Sequence, residues 1–95
     1  MPYIKQEDRT PDMTNAIHIL VKEIKNKGDL NYVICQLTSK LITKTGGMGY
    51  TNTSNWIDAV HGAERELIRR LLNPYEDKKI IENGDVEGFT ELLND

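Results

Sequence analysis

Apolar residues recur along this chain at three- and four-residue steps, the spacing that gathers them on one face of an α-helix. Met13, Ile17, Leu20, Val21 and Ile24 form the first such run. Thr10-Pro11-Asp12 precedes it with a capping hydroxyl, a proline suited to the first turn and an acid that complements the helix dipole. Lys25-Asn26-Lys27-Gly28 follows it with a cationic last turn and a glycine stop. Asp29 is placed to cap a second helix, in which Leu30, Val33, Ile34, Leu37 and Leu41 repeat the same steps. So short a connection predicts an antiparallel pair.

The second helix runs out at Thr45-Gly46-Gly47-Met48-Gly49-Tyr50, whose glycines permit backbone conformations that other residues resist. A third helix is expected after Thr51-Asn52-Thr53-Ser54, where several side chains could cap, with Trp56, Val60, Ala63, Leu67 and Leu71 on a buried stripe. Pro74 removes a backbone donor and crowds the carbonyl four residues back, so it must kink this helix or start a new one. Asn83-Gly84 ends the segment. Asp85 can cap a short final helix carrying Val86, Phe89, Leu92 and Leu93. No alternating strand pattern, repeat or low-complexity tract interrupts the series. The expectation is an all-α fold: a small antiparallel bundle of three main helices with a short C-terminal helix and an ordered N-terminal arm, in a single domain over residues 1–95.

Ninety-five residues allow only a modest core, and domains of this size are often stabilised by self-association, so a homo-oligomer, dimer or larger, is expected. The net charge of −3 argues against broad nucleic-acid binding, although a cluster such as Arg65, Arg69 and Arg70 could still meet a phosphate. The one cysteine, Cys35, has no internal partner and reads as a partly buried thiol. No apolar stretch has the length of a membrane span or follows a basic leader, which implies a cytoplasmic protein with no membrane contact.

Catalytic patterns are missing. His18 and His61 stand far apart without paired ligands, and Glu64 and Glu66 point to different sides of a helix, so neither a metal site, a cofactor nor a pair of acids for hydrolysis emerges. A binding protein fits better than an enzyme. A glycine-rich loop entering a helix N-terminus offers free amides to an anion, and Thr51, Thr53 and Ser54 could add hydroxyl donors. It is no P-loop, since the terminal lysine and a preceding strand are absent. The alternative is a plain connection and cap.

Arg70, with Glu66 one turn before and Asp77 two turns after, fits structural ion pairs. Arg69 points the other way and is freer to fork onto a phosphate. Tyr32, Tyr50 and Tyr75 sit at helix ends or turns, where a ring can be half-buried and still stack on a base; core packing would place them there too.

Met1-Pro2-Tyr3-Ile4-Lys5-Gln6-Glu7-Asp8-Arg9, Gly28-Asp29-Leu30-Asn31-Tyr32, and Arg69-Arg70 followed by Pro74-Tyr75-Glu76-Asp77 and Asn83-Gly84-Asp85-Val86 resemble a family of short uncharacterised phage and bacterial proteins. The resemblance runs over most of the chain and implies a phage or prophage setting. Phages encode short helical oligomers that sequester host nucleotide immune signals, such as cyclic dinucleotides or cyclic ADP-ribose derivatives. Such an anti-defence sponge needs anion donors, aromatic platforms and a pocket shared between chains. That is the function expected here, with Tyr32, Tyr50, Thr51, Asn52, Ser54, Arg69, Arg70 and Tyr75 as the ligand-binding residues, and with Tyr75 packed near Tyr32 or the N-terminal arm. Arg69 lies too far along the helix from its start for one chain to clamp one phosphate, so two subunits would share the site. The alternative is a small helical interaction or assembly protein of phage origin with a protein target.

Overall fold

The structure, a computed structural model, describes residues 2–95. The fold is all-α. A 3-10 turn over Gln6–Asp8 forms the N-terminal arm, where Arg9 Nε donates to the Ile4 carbonyl at 3.1 Å. Helix α1 spans Pro11–Glu23 and is capped as its sequence requires, with the Thr10 hydroxyl accepting from the Met13 amide at 3.2 Å. Such a cap contributes about 1 kcal/mol.

The junction between the first two helices differs from its sequence expectation. Helix α1 stops at Glu23, and Ile24 turns to extended backbone. Helix α2 spans Lys27–Lys44, so its cap is Asn26 in place of Asp29. Asn26 Oδ1 accepts from the Asp29 amide at 2.8 Å, and Asp29 Oδ2 accepts from the Lys25 amide at 2.9 Å. Two side chains three residues apart thus satisfy donors reciprocally, a variation on the capping box that outweighs the glycine stop. Gly28 lies inside the first turn of α2, where a Cβ would stand 3.2 Å from Asn26 Oδ1. Its lack of a side chain makes room for the cap.

Helix α2 closes at Thr45, whose amide donates to the Leu41 and Ile42 carbonyls, while the Gly47 amide returns to Ile42 O at 2.8 Å. Helix α3 spans Tyr50–Leu67 and begins earlier than its hydroxyl-rich segment suggested. The Gly49 carbonyl accepts from the Thr53 amide at 2.9 Å. Thr51, Asn52, Thr53 and Ser54 are therefore residues of the first turns.

At Pro74 the helical backbone continues. Ile68–Leu72 form a π turn in which the Asn73 amide donates to Ile68 O, five residues back, and α4 follows over Asn73–Asn83 with Pro74 in its first turn. The wider turn sits where the proline ring would crowd the Arg70 carbonyl and where that carbonyl loses its α-helical donor. Gly84 ends α4 at φ 86°. Helix α5 spans Glu87–Leu93, with Asp85 one residue before its cap, accepting from the Val86 amide at 2.7 Å and from the Thr90 hydroxyl at 3.3 Å.

Two compact units divide the chain, one up to Gly62 and one from Ala63 onward. In neither is a described side chain buried. The stripe expected to be buried on α3 is only half-buried at Trp56 and exposed at Val60, Leu67 and Leu71, and on α1 Met13, Ile17 and Val21 are open as well. The chain carries more apolar stripe than it has material to cover.

Candidate functional site

The connection from α2 to α3 is the most closely knit part of the first unit. Asn52, expected as a ligand contact, directs its amide into the loop: Nδ2 donates to Ile42 O at 3.2 Å and to Gly47 O at 3.0 Å. Asn52 Oδ1 lies 3.2 Å from Thr45 Oγ1. Trp56 Nε1 donates to that same hydroxyl at 2.9 Å. Ser54 Oγ donates to the Thr51 carbonyl at 3.2 Å, so its proton serves the helix as well. Asn52 and Ser54 are thus structural groups here, because the carbonyls at the end of α2 and the Thr51 carbonyl one turn back lie within their reach.

Tyr50 and Thr51 remain open. Tyr50 is the first residue of α3 and is 90% exposed, beside Met48 at 86%. These two border a shallow, mostly apolar hollow of about 450 Å³ with Gly49, Thr53, Ser54 and Ile57. Thr53 Oγ1 approaches Met48 Sδ at 3.5 Å and the Gly49 amide at 3.5 Å, holding the sulfur over the helix start. The first turn of α3 carries no acidic residue to oppose an anion. The hollow therefore combines an aromatic face, a thioether and a helix N-terminus. Sequence reading passed over Met48 and Ile57; the signal was an apolar residue inside the glycine run and another about two helical turns beyond it.

Tyr32 stands apart from this hollow on α2, exposed, its hydroxyl accepting from Gln36 Nε2 at 2.9 Å. Cys35, expected to be partly buried, is exposed, with Sγ 3.7 Å from Asn31 Oδ1. A second apolar groove of about 300 Å³ runs between Ile34, Thr38 and Ile42 of α2 and Ile57 and Val60 of α3.

Arg69, Arg70 and Tyr75 belong to the second unit. The two arginines exchange their expected roles. Arg69 forks onto Glu66, with Nη2 to Oε2 at 2.9 Å and Nε to Oε1 at 3.2 Å. Arg70 makes no ion pair among the described residues. The three-residue step from Glu66 puts Arg69 over the carboxylate, and Glu66 is the more enclosed partner at 20% side-chain exposure, so the pair is better shielded than an ordinary surface bridge. Tyr75 has Lys79 Nζ 5.5 Å from its ring centre, which occupies one face of the ring. Around it Leu67, Ile68, Leu71, Leu72 and Tyr75 line an open apolar concavity of about 430 Å³.

Among the described residues no three His, Cys, Asp or Glu side chains converge on a metal position. No described helix is long and apolar enough to cross a membrane. No curated protein and no solved structure matches the chain. A family model described as a domain of unknown function, DUF6899, matches residues 1–86, from the opening motif to the valine that closes Asn83-Gly84-Asp85-Val86, and the chain belongs to that family.

Proposed function

We propose that this protein is a non-enzymatic binder that works as a homo-oligomer and sequesters a phosphate-bearing, nucleotide-type signal, a cyclic nucleotide or a cyclic ADP-ribose derivative, in a phage or prophage setting. The observation that carries the ligand side of this reading is the start of α3. There an almost fully exposed Tyr50 ring and Met48 border an apolar hollow beside the N-terminus of an 18-residue helix. A base can stack on such a ring while a phosphate takes the helix end. Arg70, exposed and without an ion pair among the described residues, is a guanidinium placed to meet a phosphate from another copy.

The uncovered apolar stripes favour a second reading, an interaction or assembly protein whose target is another protein. Calorimetry and thermal shift against cyclic dinucleotides, cyclic trinucleotides and ADP-ribose derivatives separate the two. Sequestration predicts saturable heat, a raised Tm and ligand recovered unchanged after incubation. A well-folded protein that gives neither heat nor shift across the panel overturns the ligand reading and leaves the protein-target reading in its place. Ligand recovered as a cleaved product overturns the non-enzymatic part.

A further inference from the structure

We infer that Met48 is a site of reversible oxidation, its thioether taking one oxygen from a peroxide to become the sulfoxide, and that the change is felt in the hollow at the start of α3. The oxidation concerns the chain whatever it binds; its effect on a ligand rests on the function proposed above. Met48 is 86% exposed, against 52% for Met13 on α1. It stands between Gly47 and Gly49, where an added Cβ would meet nothing within 4 Å, so neither neighbour in the chain screens the sulfur. Thioether oxidation needs an unhindered approach along a sulfur lone pair, which Met48 offers without any opening of the fold and a packed methionine does not.

Thr53 supplies what the product needs. Its hydroxyl oxygen accepts from the Gly49 amide at 3.5 Å and its one proton is directed at Met48 Sδ, also at 3.5 Å. A thioether is a weak acceptor, whereas a sulfoxide oxygen carries a large partial negative charge, so the same hydroxyl meets a much stronger partner after oxidation. The step balances: a sulfur lone pair attacks one peroxide oxygen, the S–O bond forms as the O–O bond breaks, and the departing hydroxide takes a proton and leaves as water. Sulfur loses two electrons and the peroxide gains them. The return step belongs to thiol-dependent methionine sulfoxide reductases, one enzyme for each sulfoxide epimer. Met48 borders the hollow together with Tyr50 and Ile57. Oxidation replaces part of that apolar wall by a polar oxygen whose negative end opposes a phosphate at the helix N-terminus, and affinity for an anionic nucleotide falls.

Hydrogen peroxide is the probe, applied to the full chain, with peptide mapping by mass spectrometry reading the sulfoxide at each methionine in the native protein and in urea. Comparing folded with unfolded rates removes the effect of local sequence. Met48 should show the higher folded-to-unfolded ratio, and equal ratios, or a higher one at Met13, overturn the site. Oxidation should also slow amide exchange at Gly49 in the wild type, because the Thr53 hydroxyl is polarised by its new acceptor, and should leave it unchanged in Thr53→Val. The same response in both proteins overturns the part given to Thr53. For any nucleotide that binds, peroxide treatment should weaken calorimetric affinity about two- to tenfold in the wild type and not in Met48→Leu, whose other methionines still oxidise. Affinity kept by wild-type protein oxidised at Met48, or lost equally in Met48→Leu, overturns the link to the hollow. Preferential oxidation of Met48 with no binder in the nucleotide panel sinks the ligand reading and leaves the oxidation site standing.

Discussion

Trp56 Nε1 donates to Thr45 Oγ1 at 2.9 Å, and Thr45 Oγ1 lies 2.7 Å from the Leu41 carbonyl. A hydroxyl has one proton to give. The shorter contact takes it, which leaves the oxygen's lone pairs for the indole and makes Thr45 a relay from α3 into the last turn of α2. Thr45→Val keeps the shape and removes both bonds. It should cost about 1 to 2 kcal/mol in urea unfolding, the range for leaving a half-enclosed donor without its partner. Trp56 is the single tryptophan, so its emission should shift to the red in the variant while helical content holds. An unchanged midpoint and spectrum would mean that the relay contributes nothing.

Gly47 has φ 83° and sends its amide to Ile42 O while its carbonyl accepts from Asn52. A side chain at that backbone angle is disfavoured by roughly 1 to 2 kcal/mol. Gly47→Ala should lower stability by that amount and loosen the start of α3, seen as faster amide exchange at Asn52 and Thr53. Gly49→Ala is the control: its φ is not positive and a Cβ there meets nothing within 4 Å. Equal losses in the two variants would place the cost elsewhere than in the backbone angle.

Pro74 concerns register more than helix content. Replacing it with alanine restores an amide that can bond the Arg70 carbonyl and permits a regular α-helix through Ile68–Leu72. Removing a π turn rotates everything beyond it by about 100°, one residue's worth of helix. Circular dichroism should therefore stay nearly constant in Pro74→Ala while ligand binding and self-association change more, because Tyr75 turns away from the face it shares with Leu67, Ile68, Leu71 and Leu72. A large loss of helicity would mean instead that Pro74 starts a helix that cannot form without it.

The helices were legible because each carries its own period and its own punctuation. Thr10-Pro11 begins α1 and Asn83-Gly84 ends α4 as sequence alone would have them. The α1–α2 junction was harder to read, since Asn26 and Gly28 are both credible punctuation. Only the three-dimensional exchange between Asn26 and Asp29 decides which of them acts. At the candidate site the residue types were visible and their partners were not. Asn52 and Ser54 look like ligand donors until the carbonyls beside them are placed. Arg69 and Arg70 differ by one helical step, about 100°, and that step decides which of them lies over Glu66. The apolar stripes were equally plain, yet a stripe records that something must cover it and not what does.

The ligand reading makes its sharpest demand on two residues in different units of the chain. Tyr50→Ala removes an exposed ring whose stacking on a base is worth about 1 to 3 kcal/mol. Arg70→Ala removes a guanidinium whose hydrogen bonds to a charged group are worth about 1.5 to 3 kcal/mol. Each should weaken calorimetric affinity for a responding nucleotide by about tenfold or more while leaving helical content unchanged. Arg69→Ala separates ligand contact from ion pairing, because Arg69 is held by Glu66: it should cost some stability and less affinity than Arg70→Ala. Because the proposed site is shared between copies, each variant must be titrated at concentrations where light scattering still reports the wild-type mass. Affinity retained in both Tyr50→Ala and Arg70→Ala at that mass would place the ligand away from the start of α3, and the site proposed here would be wrong even if a nucleotide binds.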